Sequence, residues 1–171
     1  LYTGVTLKGP AVVRYPRGTG PGAPIETQMH ALPLGKGEIR REGRSGLAIL
    51  AFGSMVPACA ALADRLDATL VNMRFIKPLD GDIVVELART HEALVTVEEG
   101  CIMGGAGSAV MEALHAAGLA TPVLALGLPD TFIEHGDPAR LMAMNGLDAD
   151  GIAKSIAARF GARPALIRVN T

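Results

Sequence analysis

Leu94–Val110 reads LVTVEEGCIMGGAGSAV, and this stretch decides the fold class. Leu94, Val95, Thr96 and Val97 form an apolar, mostly β-branched run, the composition of a buried strand. Glu98, Glu99 and Gly100 then stop the strand with charge and a flexible residue. Gly104, Gly105, Ala106, Gly107 and Ser108 lead through small side chains into a helical pattern. A strand that ends in carboxylates and enters a helix over small residues has the geometry of a site or an interface in an α/β protein.

The flanking sequence repeats the same alternation. Upstream, Glu38–Glu42 and Leu47–Phe52 are strand patterns on either side of Gly43-Arg44-Ser45-Gly46, which reads as a hairpin turn. Ser54 is placed to cap a helix from Met55, with Pro57 in its tolerant first turn. Thr69–Met73 is the next strand, and Asp80 caps the helix after it. Downstream, Gly105–Ala117 reads as a helix and Pro122–Leu128 as a strand. Asp137 with Pro138 opens a helix that Gly146 closes. Asp148 opens the last helix, where Ile152, Ile156 and Phe160 share one face. Strands alternating with helices predict an α/β three-layer sandwich, its mostly parallel sheet covered on both faces and the first strand an antiparallel edge.

Before this unit, Ala11–Tyr15 reads as a short strand, broken by Pro16 and the glycines that follow. Ala23–Pro33 is linker-like. The first residue is Leu1 and not Met, which predicts a piece of a longer polypeptide.

Composition narrows the function. The 171 residues are 49% hydrophobic and 19% charged, enough for a packed core and too apolar for a disordered chain. The net charge of −1 without a basic stripe argues against a nucleic-acid partner. No apolar run is long enough to span a membrane. Cys59 and Cys101 stand far apart without CxxC spacing, which argues against a disulfide or zinc framework and fits the cytoplasm.

Each candidate for chemistry has a plain structural alternative. Gly105-Ala106-Gly107 begins like a dinucleotide fingerprint, but Val110 takes the third small position. Leu124 and Ala125 stand where its acid belongs. Close packing through small residues is the better reading. Glu98 and Glu99 are adjacent on a strand and point to opposite faces, so they are a poor acid/base pair. One of them is a functional carboxylate, or both mark a charged strand end. Arg17, after the strand and between Pro16 and Gly18, can present its guanidinium fork to a phosphate. Arg14 and Arg17 read equally well as surface residues of a linker. Arg74 and Lys77 lie between a strand and a capped helix, as an anion site or a structural turn. His30, His91, His115 and His135 have no metal-ligand spacing and read as surface residues. His135, within IEHGDP, is the best placed of the four. On residue chemistry alone no complete active site is present.

Four segments together resemble a known family. GPAVVRYPRG at Gly9–Gly18, MRFIKPLD at Met73–Asp80, EALVTVEEGCIMGGAGSAV at Glu92–Val110 and LGLPDTFIEHGD at Leu126–Asp137 are similar, in order and spacing, to the 1-deoxy-D-xylulose-5-phosphate synthases of the transketolase family. The resemblance implies that residues 1–22 end a central pyrimidine-binding domain and 23–33 are a linker. It makes 34–160 a transketolase C-terminal domain and 161–171 a C-terminal extension. It implies a parent enzyme that uses thiamine diphosphate and Mg2+ to condense pyruvate with glyceraldehyde 3-phosphate, as a homodimer. The product feeds isoprenoid, thiamine and pyridoxal synthesis. It assigns Arg17 to the substrate phosphate and no residue here to catalysis, cofactor or metal, so the fragment alone is expected to be an inactive, dimer-supporting domain. The C-terminal domain of a 2-oxoacid dehydrogenase β subunit and a non-catalytic assembly module are the alternatives.

Overall fold

The computed structural model describes residues 1–16, 20, 22, 24 and 27–161. Among them, five strands form one sheet: Glu38–Arg41 (β1), Leu47–Ala51 (β2), Thr69–Asn72 (β3), Ala93–Cys101 (β4) and Val123–Leu128 (β5). Their spatial order is β1-β3-β2-β4-β5. The helices are Tyr2–Thr6 (α1), Met55–Arg65 (α2), Gly81–Thr90 (α3), Ala106–Ala116 (α4), Pro138–Met144 (α5) and Ala149–Phe160 (α6).

β2 shows why the sheet is parallel and covered twice. Its sequence LAILA has no polar position, and all of it is buried. Alternate side chains therefore face two different apolar layers. Leu47, Ile49 and Ala51 meet α2 and α6, while Ala48 and Leu50 meet α3 and α4. β4 divides its apolar residues the same way, with Val95 and Val97 on the first side and Leu94 on the second. Each such Leu, Ile or Val contributes roughly 1.5–3 kcal/mol on leaving water. This is the α/β sandwich with a single antiparallel pair that the patterning predicts.

The predicted hairpin does not form. β1 pairs antiparallel with β3, and β2 lies between β3 and β4, parallel to both. A strand apolar on both faces needs neighbours on both sides, whereas EIRR, with Ile39 and Arg40 exposed, suits an outer edge. The Gly43–Gly46 segment instead crosses the start of β3. Arg44 N–H and Ser45 N–H both donate to Asp67 O, at 2.9 and 3.0 Å. Arg41 binds Asp64, Asp67 and the Ala68 carbonyl, each at 2.8 Å. A Cβ on Gly43 would lie 2.2 Å from Asp67 O, so only glycine fits this crossing.

Two further expectations are corrected. Ala11–Tyr15 is exposed and has no strand partner among the described residues. β4 does not stop at Val97 but continues to Cys101, its register against β5 shifting between those residues. Asp80, Asp137 and Asp148 cap their helices as expected, accepting from the N–H groups of Ile83, Arg140 and Gly151. Ser54 makes no cap bond.

His91 is half-buried rather than a surface residue, at the amino end of the sheet. Its Nδ1–H donates to Leu87 O at 3.2 Å, and Nε2 accepts from the Thr69 hydroxyl at 2.8 Å. Thr69 Oγ1 in turn accepts from Gly43 N–H at 3.0 Å. Burial lowers the His91 pKa below its ordinary 6.5, against the opposing pull of the Leu87 carbonyl. The folded state thus binds a proton less readily than the unfolded chain. Stability from this site is complete above about pH 6.5 and is lost as pH falls through that value toward the folded pKa. The urea midpoint is expected to drop between about pH 7.5 and 5.5, and His91→Gln to flatten the drop. A native midpoint constant over that range would contradict the assignment.

Candidate functional site

The chain steps from β2 to β3 in one direction and from β4 to β5 in the other. The crevice between the carboxyl ends of β2 and β4 is therefore the topological switch point, where open α/β sheets place ligands. Gly53 and Ser54 border it on one side, Glu98, Glu99 and Gly100 on the other.

The two glutamates diverge, as their adjacency requires. Glu98 is only 6% exposed. Its Oε2 accepts from Ala106 N–H and its Oε1 from Gly107 N–H, both at 2.8 Å. These are free donors of the first turn of α4, and the carboxylate also opposes the positive end of that helix. Glu98 is thus an internal cap supplied by the preceding strand. Glu99 is exposed on the other face and accepts a hydrogen bond from Ser54 Oγ across the crevice.

The small residues exist to seat Glu98. A Cβ on Gly105 would lie 2.5 and 2.6 Å from the two Glu98 oxygens and 2.2 Å from Cys101 O. One on Gly100 would lie 2.8 Å from Oε2, and one on Gly127 would lie 3.2 Å from Glu98 Cγ. At Gly107 it would meet Thr96 Oγ1 at 2.5 Å. Thr96 is 1% exposed, and its hydroxyl has no partner among the described residues. Sequence reading saw the packing glycines but not the carboxylate they enclose. The available signal was a glutamate eight residues before a small-residue helix start, where no side chain of the helix itself could cap.

The remaining candidates separate. Arg74 is held by Glu38 at 2.6 Å with a left-handed backbone (φ 56°), so it braces β1 against the end of β3. Lys77, Arg14, His30, His115 and His135 are exposed. Arg17 lies outside the described residues. Cys59 is buried, and its thiol is pushed up to about 12, so it is inert at neutral pH. Cys101 borders a shallow pocket of about 400 Å³ with Leu128, Pro129, Asp130 and Ile133, beside a fully exposed Phe132. Among the described residues no three His, Cys, Asp or Glu side chains are grouped to hold a metal. At the switch point both glutamates are engaged by the chain's own hydrogen bonds.

Comparison with known proteins gives this scaffold its family. Residues 35–152 match the family described as transketolase, C-terminal domain. The 1-deoxy-D-xylulose-5-phosphate synthase of Methylibium petroleiphilum is 62% identical over 93% of this chain and 26% of its own length. That of Ralstonia nicotianae is 58% identical over 98% of this chain and 27% of its own length. The chain thus spans about a quarter of the length of these relatives. A solved structure described as a split gene transketolase, inactive beta4 tetramer, superimposes with a TM-score of 0.69. It is 33% identical, with 75% of this chain and 43% of that one covered. With its strand order, its switch point and its matched residues, the chain belongs to the transketolase C-terminal domain family.

Proposed function

We propose that this chain works as the C-terminal domain of a 1-deoxy-D-xylulose-5-phosphate synthase, a transferase that condenses pyruvate with glyceraldehyde 3-phosphate and releases CO2. The observation that carries the reading is the 58–62% identity across nearly the whole chain to relatives that bear this name. In this reading residues 1–22 close the preceding domain, 23–33 link, 34–160 form the C-terminal domain and 161–171 extend it. Thiamine diphosphate would supply the electron sink for decarboxylation. In this reading the cofactor and its Mg2+ are held by other parts of the synthase; among the described residues no three His, Cys, Asp or Glu side chains are grouped to hold a metal. Glu98, the best-placed carboxylate, spends both oxygens on backbone N–H groups. No step of the cofactor chemistry is assigned to them. Arg17 is the one residue proposed to touch substrate, gripping the phosphate of glyceraldehyde 3-phosphate.

The domain's own task in this reading is to support a homodimer. β5 is an outer strand of sequence VLALGL, with no charge or proline to blunt its edge. Met103, Met111 and Phe132 add exposed apolar surface. The related beta4 tetramer supports self-association by this scaffold. No helix among the described residues is long and apolar enough to cross a membrane, and a cytoplasmic location is proposed from the unpaired thiols Cys59 and Cys101.

Product identity tests the proposal. The protein that carries this chain is expected to form 1-deoxy-D-xylulose 5-phosphate from pyruvate and glyceraldehyde 3-phosphate. Transfer of the two-carbon unit to a dihydrolipoyl acceptor instead would favour the 2-oxoacid dehydrogenase reading.

A further inference from the structure

We propose that His91, Thr69 and Gly43 form a proton-operated latch, which holds the crossing between β1 and β2 against the sheet while the His91 ring is neutral and frees it when the ring is charged. Three segments meet at the latch. His91 follows the last turn of α3, Thr69 opens β3, and Gly43 lies on the chain that carries β1 over to β2. Gly43 N–H donates to Thr69 Oγ1 at 3.0 Å, and the Thr69 hydroxyl in turn donates to His91 Nε2 at 2.8 Å. The ring's tautomer follows from its neighbours. Thr90 gives its hydroxyl proton to Glu86 O at 2.9 Å, so it has none for His91 Nδ1, which is also 2.9 Å away. Nδ1 therefore carries the ring proton and donates to Leu87 O, which leaves the Nε2 lone pair for Thr69.

A second ring proton reverses this order. Nε2–H then points at Thr69 Oγ1, which already accepts from Gly43. The Thr69 hydroxyl proton loses its acceptor, at a residue only 3% exposed. A buried donor without a partner is costly. His91 is half-buried, so its ring can relieve that cost by turning to solvent, and Thr69 and Gly43 then lose their anchor. Among the described residues no charged side chain bonds the ring to offset this. Glu86 and Arg89 on α3, and Glu112 and His115 on the neighbouring α4, are exposed. Asp67, before β3, is taken by Arg41 and Arg44. Glu42 is exposed, and Glu92, before β4, lies against Gly46. Burial further disfavours the charged ring, so the latch is closed at neutral pH. Release of the crossing is a local event, distinct from the global loss of stability in acid, and does not depend on the enzymatic reading.

Amide hydrogen exchange of Gly43 in the full chain tests the latch. Its protection is expected to fall several-fold, at most about tenfold, between about pH 7.5 and 5.5, because the freed ring binds a proton with its ordinary affinity. The exchange should be unchanged by low urea, since a local opening exposes little surface. In His91→Gln, whose amide oxygen accepts from Thr69 at either pH, protection is expected to differ by less than about twofold. If His91→Gln does not fold, Thr69→Ala becomes the control. Without the hydroxyl, Gly43 N–H is expected to be unprotected, and equally so at both pH values. No fall in the native chain overturns the latch. So does a fall that persists in the control variant, or Gly43 exchange that rises with urea in step with that of Val95 in the central strand β4.

Discussion

Replacing Gly105 by alanine is expected to lower the melting temperature by on the order of 10 °C, while the same change at the neighbouring Gly104 lowers it by only about 2–4 °C. The order is the reverse of what backbone conformation alone predicts. Gly104 has the left-handed backbone, at φ 70°, and an added Cβ would meet nothing within 4 Å. Its substitution therefore costs about 1 kcal/mol of strain. At Gly105 the backbone is extended and open to any residue. Its Cβ, however, would stand 2.2 Å from Cys101 O and about as close to both Glu98 oxygens. Either α4 moves off the sheet or Glu98 leaves its two N–H partners. Overpacking costs about 1–3 kcal/mol, and a buried carboxylate stripped of its donors adds a comparable amount. Thermal melts of the two variants decide the matter. Equal losses, or a greater loss at Gly104, would mean that the glycines serve the turn and not the carboxylate.

The second large effect is kinetic. In the proposed enzyme, Arg17→Ala is expected to lower kcat/KM for glyceraldehyde 3-phosphate by roughly 100-fold, about 3 kcal/mol, with the KM for pyruvate changed less than about threefold. A guanidinium fork gives phosphate two charge-assisted hydrogen bonds, and each contributes about 1.5–3 kcal/mol. Pyruvate has no phosphate for the fork to hold. Arg17→Lys keeps the charge but loses the paired geometry, so it should recover only part of the loss. Steady-state kinetics with each substrate varied in turn checks this. Equal losses for both substrates would remove Arg17 from the phosphate and make it a residue of general stability.

How much of this was legible depends on the range of the forces involved. Leu47–Ala51 and Leu94–Val97 read as central strands because burial on both faces leaves no charged position to confuse the pattern. Asp80, Asp137 and Asp148 were readable as caps because a cap bonds within three residues of itself. The errors are all non-local. Gly43–Gly46 has the composition of a hairpin turn, yet it carries the chain past a strand that comes later in sequence. Ser54 had the local signal of a cap, but its hydroxyl is taken by Glu99, from another strand. Glu98 is the instructive case. Its direction follows from strand alternation, and the small size of its neighbours is visible in the sequence. Its role needed the register of α4 on β4, which no window of sequence contains. Ala11–Tyr15 has the pattern of a strand but pairs with no strand among the described residues.

The most direct test of the account is where turnover resides, because the account makes this domain scaffold and puts the cofactor chemistry outside its described residues. CO2 release from pyruvate in the presence of glyceraldehyde 3-phosphate, thiamine diphosphate and Mg2+ should be measured on two proteins. One is the isolated Leu1–Thr171 chain, first shown to melt cooperatively; the other is a full-length synthase with this chain as its C-terminal domain, as proposed. The account predicts release by the longer protein and none above background by the isolated chain. Turnover by Leu1–Thr171 alone, or its absence from both, would contradict it.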